Sequence, residues 1–258
     1  MWLFGQSVCL LFICGLLAWG QPAGSAQENP ELATLRMELQ RSQRTLNDWP
    51  NLARYLDENA KLSAPAPGES RVVFMGDSIT DGWGRRYGKF FPGKPYVNRG
   101  ISGQTTPQML IRFRPDVIAL APKAVVILAG TNDIAGNTGP STLEAIEDNL
   151  TSMAELAKAN GIRVVLSAVM PVCDHIRPQT KQRPPEKIKA LNAWIKDYAA
   201  KNQLVYLDYY SAVLDDQEMF RKDLTDDGLH PNDAGYEVMQ PLAEKAITTA
   251  LASGPQPQ

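Results

Sequence analysis

Apolar residues along this chain fall into two alternating patterns. Short, nearly continuous runs occur at Arg71–Met75, Ala124–Leu128, Arg163–Val169 and Leu204–Asp208, with a weaker one at Pro95–Asn98. Between them, longer segments repeat their apolar positions with helical spacing: Gln104–Phe113, Ser141–Asn160, Glu186–Asn202 and Asn232–Leu251. The short runs do not alternate apolar with polar, so as strands they are buried on both faces, which helices on either side would provide. The order predicts a three-layer α/β/α sandwich around a parallel five-stranded sheet. In such sheets, sites gather beyond the carboxyl ends of the strands.

The pattern changes toward the start of the chain. Pro30 to Lys61 is polar with helical spacing, its apolar positions being Leu32, Leu35, Leu39, Leu46, Trp49, Leu52 and Tyr55, with a break at Asn47-Asp48-Trp49-Pro50. This segment is expected to pack on the outside of the core domain, and Ser63-Ala64-Pro65-Ala66-Pro67-Gly68 is a linker by composition. From Met1 to Gln27 there is no Lys, Arg, Asp or Glu, and Val8–Trp19 is almost wholly apolar. That run falls short of the roughly 20 residues of a membrane span. It has the length of a signal-peptide core, with Ala23-Gly24-Ser25-Ala26 as small residues for cleavage. No Lys or Arg precedes it, so an uncleaved N-terminal anchor stands as the alternative. The expected organisation is a signal peptide or anchor at 1–26, a helical extension and linker at 27–68, one domain at 69–252 and a tail at 253–258.

Charge and cysteine content narrow the function classes. The formal charge is −2, with no basic block, which gives no sign of a nucleic-acid partner. Cys9 and Cys14 lie in the leader and lack the preceding small residue of a lipoprotein signal. Cys173 is then the one thiol of the mature part, so an exported form, periplasmic or secreted, is held by its core rather than by an internal disulfide.

Unusual residues follow the strands. Gly76-Asp77-Ser78 comes after the first, Asn98-Arg99-Gly100-Ile101-Ser102-Gly103 after the second, and Gly130-Thr131-Asn132-Asp133 after the third. Asp227 and His230 precede the last helix. A serine needs a base to become a nucleophile, and the base needs an acceptor that fixes its tautomer. Ser78, His230 and Asp227 fit those roles. The backbone N–H groups of Ser78 and Gly103 and the amide of Asn132 fit an oxyanion hole. Taken singly, each block is ordinary turn or cap chemistry.

In order, the four blocks resemble those of the SGNH hydrolases, the GDSL esterase/lipase family, with Ile79 where the family name has leucine. The resemblance implies a flavodoxin-like α/β/α fold, a catalytic Ser78, His230 and Asp227, an oxyanion hole of Ser78, Gly103 and Asn132, and no metal or organic cofactor. The expected activity is hydrolysis of carboxylic esters, with short acyl groups such as acetyl on a carbohydrate or small alcohol. A lysophospholipase or thioesterase and an acyltransferase are the alternatives. The expected partner is the ester substrate, with membrane contact only if the N-terminal segment is uncleaved.

The remaining candidates are weaker. Trp83, Arg85, Arg86 and Tyr87 could line the substrate side of the crevice, and His175 could border it. Asp77 and Asp133 read as loop anchors. Cys173 reads as an inert thiol, and Trp49, Trp194 and Tyr206 as core.

Overall fold

The computed structural model describes residues 29–252, so the leader and tail lie outside the described residues. Two compact units are distinguished, residues 1–43 and 44–258. Helix α1 (Pro30–Asn47) exposes Leu32, Leu35, Leu39 and Leu46, the last at 84%. The break after Asn47 is made by Asp48, whose carboxylate accepts from the N–H groups of Leu52 and Ala53 at 2.8 and 2.9 Å. Trp49, expected in the core, is 37% exposed. No helix among the described residues is long and apolar enough to cross a membrane.

In the larger unit, α2 (Leu56–Lys61) precedes β1 (Val72–Gly76), the short α3 (Ser78–Gly82) and β2 (Tyr96–Gly100). Then come α4 (Thr106–Asp116), β3 (Ala124–Leu128), α5 (Thr131–Ile134), α6 (Leu143–Ala159) and β4 (Arg163–Ser167). The series ends with α7 (Pro185–Lys201), β5 (Val205–Leu207), α8 (Tyr209–Ala212) and α9 (Asp233–Ala252). All strand pairs are parallel and the sheet order is β2-β1-β3-β4-β5, in register at Val72↔Tyr96 and Val72↔Ala124.

The uninterrupted apolar strands have the predicted consequence. Val73, Met75, Val125, Ile127, Val164 and Leu166 face α4, α6 and α7, in one core with Phe113, Leu150 and Leu191. The alternate residues Val72, Phe74, Val126 and Val165 face the other way, toward Tyr236, Met239 and Ile247 of α9. Trp194 and Tyr206 are partly buried against the first core. Burial of both faces by period-2 alternation fixes the register, since a one-residue slip would exchange the two cores.

Strand order reverses at β1, which puts the ends of β1, β2 and β3 around one crevice. Arg112 of α4 is fully buried beneath it. Its guanidinium donates to the carbonyls of Gly76 (3.0 Å) and Arg99 (2.8 Å), to Gln104 Oε1, and to Asp116 (3.1 Å). Segment 49–61 joins from outside. Gln104 and Gln108 donate to the carbonyls of Pro50 and Trp49, and Arg99 donates to Asn59. Tyr55, also fully buried, donates to the Gly100 carbonyl. Removing one side of a buried ion pair strands the other charge, a loss of about 3–5 kcal/mol. Arg112→Leu is accordingly expected to lower stability by about 3–5 kcal/mol in urea titration. The double change with Asp116→Leu should recover only part of this, because the strand-end carbonyls still lack a donor.

Candidate active site

The turn after β1 is shaped by Asp77. Its side chain accepts from the Ile79 N–H at 3.0 Å and caps α3, which sets Ser78 as the first residue of that helix. Asp77 is 1% exposed and its second oxygen, Oδ2, has no partner among the described residues. Burial pushes this carboxyl up to about 6, against the opposing pull of the Ile79 N–H and the charge of His230.

His230 is brought to Ser78 by the loop before α9. Thr225, 3% exposed, pins that loop: its hydroxyl donates to the His230 carbonyl at 2.7 Å and accepts from the Gly228 N–H at 3.0 Å. Gly228 has φ +81°, and a Cβ there would lie 2.1 Å from the Cys173 carbonyl oxygen, so no other residue fits. The Cys173 N–H in turn donates to the Gly228 carbonyl at 2.9 Å. Buried Cys173 is thus a backing for the loop.

The resulting line is continuous. Asp227 Oδ2 lies 2.7 Å from His230 Nδ1, and His230 Nε2 lies 2.8 Å from Ser78 Oγ. Asp227 Oδ1 accepts from the N–H groups of His230 (2.8 Å) and Leu229 (3.0 Å). Burial pushes the Asp227 carboxyl up, but these N–H groups and the His230 ring outweigh it, and the net shift is downward. Asp227 therefore stays ionised and can hold the imidazole in one tautomer and stabilise its protonated form.

Gly103 and Asn132 line the same cleft as Ser78 and His230, which has a volume of about 550 Å³. Gly103 sits at φ +80° with its carbonyl held by Asn137 Nδ2 at 3.0 Å. Asn132 Nδ2 donates to the Gln104 carbonyl at 3.0 Å, and Asn132 Oδ1 accepts from Arg183 Nη2 at 3.3 Å. The amide is thus oriented from both ends with one N–H left over. Asp133 accepts from the N–H and hydroxyl of Thr106 at 3.0 and 2.6 Å, locking the loop after β3 to the start of α4.

Two sequence candidates fall elsewhere. Trp83 is 2% exposed and packs among Phe74, Phe90, Phe91 and Tyr236, so it anchors its loop rather than touching a ligand. Arg85, Arg86 and Tyr87 beyond it do line the cleft. His175 is exposed and outside the cleft lining. From its loop the residues that reach the site are Gln179, which donates to the Asp227 carbonyl at 3.2 Å, and Arg183, which is 6% exposed. Arg183 also donates to Thr131 Oγ1 and Gln179 Oε1, each at 3.1 Å. Neither was visible as a site residue in the sequence, where the loop showed only as rich in proline and arginine. Arg54, from the segment before α2, is a further cleft residue without a sequence signal. Among the described residues no group of three or more His, Cys, Asp or Glu side chains could hold a metal ion.

The profile of the GDSL-like lipase/acylhydrolase family matches residues 74–238. The chain belongs to that family. Among solved structures, a candidate acylhydrolase from Bacteroides fragilis is 45% identical with a TM-score of 0.75, over 79% of this chain and 99% of that one. An acetylxylan esterase of Xylanibacter ruminicola is 27% identical over 224 residues, 72% of this chain and 45% of that protein. A Bacillus subtilis protein described as a lipoprotein is 30% identical over 124 residues, 42% of this chain and 51% of its own. The chain spans about half the length of the curated relatives it matches.

The two carboxylates of this GDSL-family site have opposite shifts, and that of Asp77 has a consequence for stability. Its folded pKa lies above the unfolded value, so across roughly pH 4 to 6 the folded protein keeps a proton that the unfolded chain sheds, and stability falls as pH rises. Asp77→Asn removes that loss. Relative to wild type, the variant is expected to gain about 2–3 kcal/mol in urea titrations between pH 4 and pH 7. A difference independent of pH would contradict the placement of this charge.

Proposed function

We propose that this protein is a serine esterase that hydrolyses carboxylic esters through an acyl-enzyme on Ser78. The observation that carries the reading is the unbroken hydrogen-bond line from Asp227 through His230 to Ser78 Oγ. His230 Nε2 takes the Ser78 proton as Oγ bonds to the carbonyl carbon. The carbonyl oxygen becomes an oxyanion in the hole formed by the Ser78 and Gly103 N–H groups and the Asn132 amide. As the tetrahedral intermediate collapses, the C–O bond to the alcohol breaks and His230 passes its proton to the departing oxygen. Water then attacks the acyl-enzyme by the same route, giving up a proton to His230 and releasing the acid and free Ser78.

A short acyl group, with acetyl on a carbohydrate or small polar alcohol foremost, is the substrate class we favour. The cleft lining supports it, being mostly polar or glycine, with Leu229, Tyr87 and Tyr236 as its apolar and aromatic members. The likeness to an acetylxylan esterase points the same way. Export is supported by the charge-free, apolar start of the sequence and by the likeness to a lipoprotein.

The test is hydrolysis of p-nitrophenyl esters from acetate to palmitate. Wild type should act on acetate and butyrate, Ser78→Ala should show no turnover above background, and Asp227→Asn should lose about 10⁴-fold in kcat while remaining folded. A preference for palmitate would move the substrate to lipids. Turnover that survives in Ser78→Ala would end the acyl-enzyme reading.

A further inference from the structure

The cleft rim carries more positive charge than the reaction needs. Arg54, Arg85, Arg86 and Arg183 line it together with a single carboxylate, Asp81. Arg183 is committed within the site, where it lies against Asn132 and shares its field with Asp77 and Asp227. The other three stand at the mouth of a protein whose formal net charge is −2. Asp81 binds Arg85 at 2.6 Å and reaches Arg54 only at 4.0 Å, while Glu58 lies 3.7 Å from Arg54. Arg86 lies over the Tyr87 ring at 5.4 Å and has no carboxylate within salt-bridge distance among the described residues.

These cations are held in place. Arg54 and Arg85 both stack on buried Tyr55, at 4.7 and 5.5 Å from its ring centre. The N–H groups of Arg85, Arg86 and Tyr87 all turn back onto the Gly82 carbonyl, at 2.8–3.2 Å. Trp83 plugs the same turn into the core, and the Gly88 N–H is tied to Asp233 at 2.6 Å. A rim of three guanidiniums, two stacked on Tyr55 and the third carried on an anchored turn, incompletely neutralised, is suited to an oxyanion ligand through charge-assisted, forked hydrogen bonds.

We infer that the alcohol portion of the substrate carries a negative charge, a carboxylate or phosphate, which is bound at the cleft mouth by Arg86 with Arg54 and Arg85. The inference rests on the esterase reading above. It narrows the substrate from an acetylated small alcohol to an acetylated acidic one, of which a sugar acid is the carboxylate form.

The experiment compares kcat/KM for matched O-acetyl esters of glucuronate, glucose and glucose phosphate. The anionic sugars should be favoured over glucose by about tenfold or more, as expected for one hydrogen bond to a charged group. That ratio should fall toward parity in Arg86→Gln, and also when salt is raised from about 0.05 M to about 0.5 M. Whichever anion gives the higher ratio identifies the group. Equal rates on all three sugars, or a preference unchanged in Arg86→Gln, would overturn the inference. Labelling of Ser78 by a fluorophosphonate separates the two readings. A labelled, active enzyme without charge preference refutes only the rim's role, whereas no labelling and no turnover refute the esterase and the rim together.

Discussion

Arg112 donates upward from α4 to the carbonyls of Gly76 and Arg99, the first at the end of β1 and the second near the end of β2, and sideways to Gln104 and Asp116. A guanidinium with no solvent contact is tolerable only if all its donors find acceptors, because the desolvation loss is large and uncompensated charge is worse. That requirement is geometric as well as energetic. It fixes the ends of two strands and the side chain of Gln104 about one planar group. Ser78 follows Gly76 by two residues, and the Gln104 carbonyl holds the Asn132 amide. Ser78, Gly103 and Asn132 therefore take their relative positions from contacts that no substrate touches. Asp116 also accepts from Asn59, which draws α2 into the same network.

Above that base, two carboxylates close to Ser78 and His230 have opposite fates. Asp227 receives two backbone N–H groups and the His230 ring, and these hold it below the ordinary range despite burial. Asp77 receives one N–H and keeps one oxygen without a partner, so burial prevails and raises it. The difference follows from the number of donors facing each group rather than from distance to the nucleophile. Of the two, only Asp227 is held in its charged form, beside the His230 ring. Asp77 acts on Ser78 through the backbone turn that it caps.

Most of this was legible in the sequence, for identifiable reasons. Strands buried on both faces leave uninterrupted apolar runs, so all five appeared, with ends displaced by at most two residues. The four loop blocks stood out because residues such as Gly103, Asn132 and His230 interrupt a regular α/β pattern where strands end. What could not be read was the consequence of three-dimensional return. Trp83 looks like a binding residue because it follows the Gly76-Asp77-Ser78 block, yet its ring packs in an aromatic cluster with Phe74 and Tyr236. His175 and Arg183 lie in one loop with similar composition, and only the path of the chain decides that the arginine turns in and the histidine out. Trp49 is aromatic and still exposed, since its contribution is a backbone carbonyl given to Gln108. Helices as short as α3, α5 and α8 carry too few positions for a period to show.

Trp83 and Arg86 also show how reaction and recognition come to be separable. The groups that position Ser78, Gly103 and Asn132 are buried and mutually bonded, so a change at one is felt by its neighbours and their effects couple. Arg86 reaches the cleft from a turn anchored by Trp83, and its guanidinium lies outside that bonded set, over the Tyr87 ring. A substitution at the tip of such a turn leaves its anchor in place. The charge at the cleft mouth can therefore change while the spacing from Asp227 to Ser78 stays fixed. The segment after α3 is therefore a place where the cleft lining can change without disturbing the α/β frame.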